Sequence, residues 1–180
     1  MKKVILLAAM CLMALTTCTV FSCSDKDNES SGVGESSGAG ESSGAYVDLG
    51  LPSSTLWKTS NEENASDAEY AFFTYDEAVS QFGDKLPSRE QWLELVNECD
   101  WTWTGMGYKV LGPNGKSISL PAAGYRNCSG SVYRVGSLGH YWSSTPEGSD
   151  YAWNLFFDSG GVDVGDGSRC NGYSVRLVQD

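Results

Sequence analysis

Cysteine and histidine side chains could bind a metal or act as nucleophiles, and this chain has few of them. Past an N-terminal leader it has three cysteines, Cys99, Cys128 and Cys170, and His140 is the single histidine in the sequence. No two of these cysteines have the close spacing of zinc ligands. We therefore predict no metal site and no cofactor. An odd number of cysteines leaves at least one thiol unpaired, and Cys99 falls on the apolar side of a predicted helix, as a small core residue would.

Carboxylates are the other side chains that could do chemistry. Asp158, Asp163 and Asp166 lie close together, among glycines and serines. A glycosidase needs two carboxyl groups, one of them with a raised pKa, and an apolar pocket is the usual means of raising it. This stretch offers no such pocket. The three residues are typical of acidic surface loops, and we predict no catalytic residue and no enzyme.

The charge balance limits the partners. The chain has 12 basic and 23 acidic residues, a net charge of −11. Removal of a leader up to residue 22 or 23 would remove two lysines and no acidic residue, which leaves a net charge of −13. Contacts to phosphates need lysine and arginine, so we predict no nucleic-acid partner. A strong negative charge favours solubility at a surface.

The N-terminus predicts a signal peptide over residues 1–22. Two lysines precede an apolar run, 4–20, which contains threonine and cysteine and is soon followed by acidic residues, unlike a membrane span. The end of this run, 20–23, resembles a bacterial lipobox, which implies lipidation of Cys23. The following Ser24–Glu29 resembles the acidic export tag of surface lipoproteins in Bacteroides-type bacteria. These resemblances imply an outer-membrane, lipid-anchored protein that faces the cell exterior. Ordinary cleavage without lipid and a merely soluble spacer remain the alternatives.

A flexible tether is predicted over residues 23–45, starting at the lipidated cysteine. A hexapeptide beginning Glu-Ser-Ser-Gly occurs three times from Glu29 to Tyr46. Glycine and serine cannot bury a core, so this composition is typical of disorder. About 18 such residues reach roughly 20–25 Å by random-coil scaling. The folded, ligand-binding domain is then residues 46–180.

Two helices are predicted from capping boxes. Thr74 with Glu77 opens a helix of about 75–82 that Gly83 ends, and Ser88 with Gln91 opens a second helix to about 99. Strands are predicted around Tyr46–Leu51 and Thr55–Thr59. A further hairpin turns at Asn114-Gly115. The order of strands, two helices and then antiparallel strands predicts an α+β fold.

Three closing strands, at about 141–145, 152–157 and 174–178, are predicted to be joined by Gly/Ser/Asp loops. Apolar residues alternate in this region with a period of two, which indicates strands with one buried face. They are Trp153, Leu155, Phe157, Val162, Val164, Val175 and Leu177. On the middle strand, Ala152, Asn154, Phe156 and Asp158 should then point toward solvent. Phe156 on such a face is a candidate contact residue, since aromatic residues are enriched in binding hot spots.

Several motifs carry a family resemblance across residues 46–180. They are Tyr46-Val-Asp-Leu-Gly-Leu-Pro-Ser-Ser-Thr-Leu-Trp57, Leu86-Pro-Ser-Arg-Glu-Gln-Trp92, Gly112-Pro-Asn-Gly115, Leu120-Pro-Ala-Ala-Gly-Tyr-Arg126, Tyr141-Trp-Ser-Ser144 and Gly172-Tyr-Ser-Val-Arg176. This set resembles the Fibrobacter succinogenes major paralogous domain family, which is related to formylglycine-generating-enzyme-type domains. The resemblance implies a C-type lectin-like fold, with two helices packed on antiparallel strands with long loops.

The C-terminal part also resembles the variable proteins of diversity-generating retroelements. In that system adenines of a template rich in Asn codons are mutated, and Lys, Glu, Gln, Met and Trp cannot arise from such codons. Between residues 117 and 178 there is no Lys, Gln or Met and a single Glu, where ordinary usage would give about ten residues of the types Lys, Glu, Gln and Met. A loop-rich β region that simply lacks long polar residues is the alternative.

The resemblance implies a variable, ligand-binding surface made of residue types that such mutation can reach. Its ligand would be an unknown protein or carbohydrate at a surface. The residues predicted to bind it are Tyr133, Arg134, His140, Ser149, Asp150, Tyr151, Phe156, Asp158, Asp163, Asp166, Ser168 and Cys170. Further candidate variable positions are Cys128, Ser129, Leu138, Gly161, Gly165 and Gly167. On this interpretation Cys128 and Cys170 are random products of variation and do not form a disulfide.

Two other functions stay open. One is an adhesin or fimbrial-type structural subunit, which the tether and lipid anchor would suit, although no donor-strand-like segment is evident. The other is a formylglycine-generating-enzyme-like catalytic domain, whose chemistry needs a reactive cysteine pair acting with metal. Calcium-dependent sugar binding is not predicted, because the Glu-Pro-Asn and Trp-Asn-Asp signatures are absent and Asn154 is followed by Leu155.

Membrane anchoring should depend on Cys23. The Cys23→Ala chain is expected to lose palmitate labelling and to leave the membrane fraction, because the acylated thiol is gone. The matched control is Cys18→Ala, which removes a cysteine that follows the less suitable Thr17. Labelling that survives in Cys23→Ala would contradict the prediction.

Overall fold

The computed structural model describes residues 45–180. The predicted signal peptide, the lipidation site Cys23 and the tether up to residue 44 lie outside the described residues. Within the described part, no helix is long and apolar enough to cross a membrane.

Both predicted helices are confirmed. Helix α1 spans Tyr75–Phe82 and helix α2 spans Arg89–Glu98, and each begins with the predicted capping box. A short 3-10 turn, Gly83–Lys85, links them. The capping side chains satisfy backbone N–H groups that have no partner within the helix, which fixes both starting points locally.

Eleven strands lie in residues 45–180. They are β1 (Tyr46–Asp48), β2 (Leu56–Lys58), β3 (Asp100–Trp103), β4 (Gly107–Leu111), β5 (Ser117–Pro121), β6 (Tyr125–Arg126), β7 (Val132–Tyr133), β8 (Leu138–Glu147), β9 (Tyr151–Asp158), β10 (Gly161–Ser168) and β11 (Val178–Gln179). They form four small sheets, in the orders β1-β2-β11, β3-β4-β5, β6-β7 and β10-β9-β8. All the strand pairs are antiparallel.

The predicted α+β class with a C-type lectin-like arrangement of two helices is wrong. The structure is mostly β, with two short helices and several small antiparallel sheets. Strand β10 accounts for part of the difference, because its glycines and aspartates predicted a loop. It nevertheless pairs with β9 over its whole length, and Val162 and Val164 lie opposite Phe157 and Leu155. Apolar cross-strand pairs of this kind outweigh a weak strand propensity.

The predicted closing strand 174–178 is also largely absent. Only Val178–Gln179 pairs as a strand, with β2. Before it, the chain makes single bridges, Tyr173 to Phe73 and Ser174 to Tyr141. Val175 and Leu177 are buried as predicted, but Ser174 and Arg176 beside them are buried too, so the segment lacks the solvated face that the alternation predicted.

Two apolar clusters form the core. The first lies around Trp57 and Trp92, whose ring centroids are 4.8 Å apart, and it includes Leu155 and Phe157 of β9. The second lies around Trp142, which contacts Tyr173 at 4.2 Å between ring centroids. The β10-β9-β8 sheet contributes to both clusters, so it forms the rigid frame between them.

A buried guanidinium ties the C-terminal segment to this core. Arg176 is 1% exposed. It donates to the carbonyl oxygens of Lys58 at 2.7 Å and Ser119 at 2.8 Å, and twice to Asn61 Oδ1, at 2.6 and 3.0 Å. Beside it, burial raises the pKa of Tyr141 to about 12, and the neutral phenol donates to the carbonyl of Pro121 at 2.7 Å.

Replacing Arg176 by lysine should destabilise the fold. A lysine ammonium lacks the planar fork, so it cannot reach acceptors on three segments at once. The buried acceptors left unpaired should lower the free energy of unfolding by about 3 kcal/mol. Urea denaturation measures this. The control is Arg134→Lys at an exposed turn, where a change within about ±0.5 kcal/mol is expected, and equal effects of the two changes would contradict the prediction.

Candidate ligand-binding surface

One face of the β10-β9-β8 sheet brings predicted site residues side by side. The register places His140 of β8 and Asp163 of β10 opposite Phe156 of β9. In the next row Leu138 lies opposite Asp158. Because side chains alternate between the two faces of a strand, these residues share the face that does not carry Leu155 and Phe157. The sheet therefore positions part of the predicted site on a rigid support.

His140 is held in this face by aromatic rings and one amide. Its ring stacks on Tyr173, with centroids 4.5 Å apart, and on Phe156 at 6.0 Å. Nδ1 lies 2.9 Å from Oδ1 of Asn154, whose Nδ2 donates to the carbonyl of Gly165 at 3.0 Å. Since the amide presents its acceptor to the imidazole, the proton of neutral His140 belongs on Nδ1. Burial lowers the pKa of His140, so the imidazole is neutral at neutral pH and Nε2 is an acceptor.

A shallow groove of about 430 Å³ lies beside this row. On the face of Phe156, its apolar surface comes from Leu138 and Phe156, and its polar lining from Arg134, Asp158 and Asp163; Phe157 and Val162 border it from the strands' core side. Oδ1 of Asp158 accepts from the backbone N–H of Gly160 at 2.8 Å. Oδ1 of Asp163 accepts from the N–H of Val164 at 2.7 Å. Among residues 45–180, no ion pair engages either aspartate.

Tyr133 extends the surface next to this groove. It is 44% exposed, and its ring stacks on that of Tyr125 with centroids 5.6 Å apart. Tyr125 in turn meets the edge of His140 at 5.3 Å. The exposed ring is therefore held by partly buried rings behind it.

Four more of the predicted residues form a second group. A depression of about 510 Å³ is lined by Ser149, Asp150, Ser168 and Cys170, together with Thr74, Asp76 and Arg169. Arg169 pairs with Asp76, donates to the carbonyl of Ser149 at 3.1 Å and covers the ring of Tyr75 at 4.6 Å. This arginine is committed to internal contacts. Most of the predicted residues therefore fall into two patches. This division follows from strand pairing and has no signal in the local sequence.

Two more predicted residues lie apart from the groove. Tyr151 is 49% exposed at the start of β9. Asp166 lies opposite Trp153, so it shares the face of Leu155 and belongs to the other side of the sheet from His140.

The predicted division of β9 into a buried and a solvated face is only partly right. Ala152 and Asn154, predicted to be exposed, are buried. The reason is that the segment containing Tyr173 and the ring of Trp142 covers this end of the face. Trp153, predicted to be in the core, is half-buried. Its indole N–H donates to Glu147 at 2.8 Å, and the guanidinium of Arg89 covers its ring at 4.2 Å.

The glycine positions are not equally free to vary. A Cβ on Gly161 would meet nothing within 4 Å, whereas one on Gly167 would lie 2.6 Å from the Tyr173 hydroxyl oxygen. Gly167 is also buried. The prediction of a variable position is therefore wrong for Gly167, because any side chain there would collide with the ring that supports His140.

Cys128 and Cys170 form a disulfide, which corrects the prediction that they do not pair. Their Cα atoms are 5.0 Å apart, and 42 residues separate them in sequence. The bond joins the loop between β6 and β7 to the turn after β10. Of the cysteines that the structure describes, Cys99 is free. Burial, followed by the charge of Asp100, raises the pKa of its thiol to about 11, so it is a poor nucleophile.

The structure also limits metal chemistry. Across residues 45–180, no group of three or more histidine, cysteine, aspartate or glutamate side chains is arranged to hold a metal ion.

A comparison with known protein families identifies the family of this chain. A family model described as a domain of unknown function, DUF8237, matches residues 87–178. The chain belongs to the DUF8237 family. The match runs from the start of α2 to β11, so it includes both patches apart from Thr74 and Asp76 of α1. No curated protein and no solved structure matches the chain.

Removing the disulfide should cost stability. Closing a loop of 42 residues is worth roughly 4 kcal/mol in the chain-entropy model. The Cys128→Ser, Cys170→Ser double variant is expected to lose most of this free energy of unfolding, measured by urea denaturation. Cys99→Ser serves as the matched thiol control and should remain within about 1 kcal/mol of the parent. If the double variant behaves as this control does, the bond has no structural role.

Proposed function

We propose that this DUF8237 protein is a surface-displayed lipoprotein that binds a protein or glycan ligand through the two patches on and beside the β10-β9-β8 sheet. One observation carries the proposal. In the same sheet, Tyr151 and Asp158 are exposed, whereas Leu155, Phe157 and Trp142 are fully buried. Contact residues can therefore change while the frame stays intact, as a binding surface of adaptable specificity requires.

Variation of these residues by a retroelement is part of the proposal. The residue types support it, since every exposed candidate is an amino acid that mutation of adenines in an Asn codon can produce. The space around Gly161 supports it too. Gly167 is not included, because its neighbours leave no room for a side chain.

Lipid anchoring outside the cell is proposed from the N-terminal sequence. The Cys128–Cys170 disulfide supports export, because such bonds form and persist in oxidising compartments and are rare in the cytosol. An anchored domain on a tether would present its binding face to partners on other surfaces.

A formylglycine-generating-type reaction is the second candidate, since the structure does contain a cysteine pair. The surroundings of the pair favour a structural role instead. The sulfur atoms contact the hydroxyl of Ser168 and the side-chain oxygen of Asn171, and no acid or base lies among these contacts. Activity of the parent chain on a cysteine-containing substrate peptide, lost in the double serine variant, would favour this candidate.

The proposal predicts that amino-acid substitutions among cells occur at solvent-exposed positions. The 3′ end of this gene should be sequenced from many cells of one population, together with the neighbouring DNA. Substitutions should concentrate at Tyr151, Asp158 and the other exposed candidates and spare Leu155 and Phe157, where truncation typically costs 2–5 kcal/mol. A near-copy of the region, rich in Asn codons, should lie beside a reverse transcriptase gene.

A matched pair of variants tests binding itself. Tyr151→Ala and Leu155→Ala are compared on a glycan array and against a displayed library of surface proteins. Tyr151→Ala should keep the thermal midpoint and lose recovered ligands, and Leu155→Ala should lower the midpoint. Substitutions spread evenly over exposed and buried positions, or a Tyr151→Ala chain with unchanged binding and lowered stability, would contradict the proposed function.

A further inference from the structure

The groove beside His140 combines an apolar floor with unpaired carboxylates. We propose that it binds a cationic side chain, above all an arginine, of a protein partner. This inference rests on the proposed ligand-binding function and specifies which ligand chemistry the groove accepts.

The floor suits the aliphatic part and the flat head of an arginine side chain. Leu138 and Phe156 offer apolar surface to its methylene groups, as long basic side chains generally require. The ring of Phe156 is held in place by His140 on one side and lies near Gly165. A guanidinium above such a ring gains a cation–π contact.

The rim supplies the opposite charge. Asp158 and Asp163 each have one oxygen bonded to a backbone N–H, which orients the carboxylate and leaves the other oxygen available. No salt bridge within residues 45–180 uses either residue. They lie on neighbouring strands, displaced by two residues in register, a separation of about 7–8 Å between backbones. A forked guanidinium can bond a carboxylate through two parallel N–H donors.

His140 fits a cationic guest because it brings no charge of its own. Its Nδ1 proton is bonded to Asn154, and the ring does not itself line the groove but stacks on Phe156 behind it, so it supports the groove without repelling a guanidinium. The net charge of −11 also attracts cations over longer distances.

Arg134 at the edge of the groove should affect binding in the opposite direction to the two aspartates. It is exposed, sits at a turn with φ of 57° and pairs with neither aspartate. As a like charge it should oppose a cationic guest, so its removal should strengthen binding. An anionic guest, such as a phosphate or a sialylated glycan, would show the opposite dependence on Arg134 and both aspartates.

Fluorescence anisotropy with the full, detergent-solubilised chain tests the inference. The probe is a labelled acetyl-Gly-Gly-Arg-Gly-Gly peptide, and its partner is the same peptide with citrulline, which keeps the shape and removes the charge. The arginine peptide should bind at least about tenfold more tightly. Asp158→Asn and Asp163→Asn should each weaken it about three- to tenfold, and Arg134→Gln should tighten it about two- to threefold.

Asp84→Asn is the matched control, because it removes an equal charge from an exposed position in the turn between the helices, outside both patches, and should leave the groove unchanged. Thermal midpoints of all four variants should stay equal to that of the parent. Equal binding of the two peptides, or an effect of Asp84→Asn as large as that of Asp163→Asn, would overturn the inference. If neither peptide binds while a glycan-array signal is lost in Phe156→Ala, the inference fails and the proposed function stands.

Discussion

The buried guanidinium of Arg176 is the interaction on which the rest of the fold depends. The chain is built from four small sheets, and none of them is large enough to bury a core alone. From the C-terminal segment, Arg176 donates to the end of β2, to Asn61 after it and to β5. Its partners are neutral oxygens, and four hydrogen bonds from one planar group replace the water that a buried charge would otherwise need. Tyr173, three residues earlier, is thereby fixed beneath His140.

The proposed binding face is ordered by this arrangement. A side chain on a loop would lose rotamer freedom on binding a ligand, which weakens affinity. His140 and Phe156 are instead held by stacked rings, and Asp158 and Asp163 by backbone N–H groups. Contact residues are thus ordered before a ligand arrives, although they differ in chemical type. Because their positions are already fixed, the affinity for a ligand would depend mainly on the types of the side chains.

Features set by local sequence were predictable here, and features set by pairing across the chain were not. Both helix starts followed from capping boxes within four residues, and the hairpin from Asn114-Gly115. The bounds of strand β10 were not predicted although Val162 and Val164 showed strand alternation, since the partners that stabilise its glycine-rich sequence lie on β9. The disulfide escaped prediction because 42 residues of chain separate its ends. The candidate site residues were proposed from the C-terminal sequence, but their division into two patches required the register.

In any diversified repertoire of this protein, the disulfide would make some variants chemically unlike the others. Both of its cysteines stand at positions of the proposed variable set, and they are useful only together. Independent mutation would produce many siblings that keep one cysteine and lose the other. Each of these would carry a solvent-facing sulfhydryl beside its binding patches, since both positions are exposed. Oxidation could link such siblings covalently to each other or to small thiols. Only the members of the repertoire that escape this oxidation would remain monomeric.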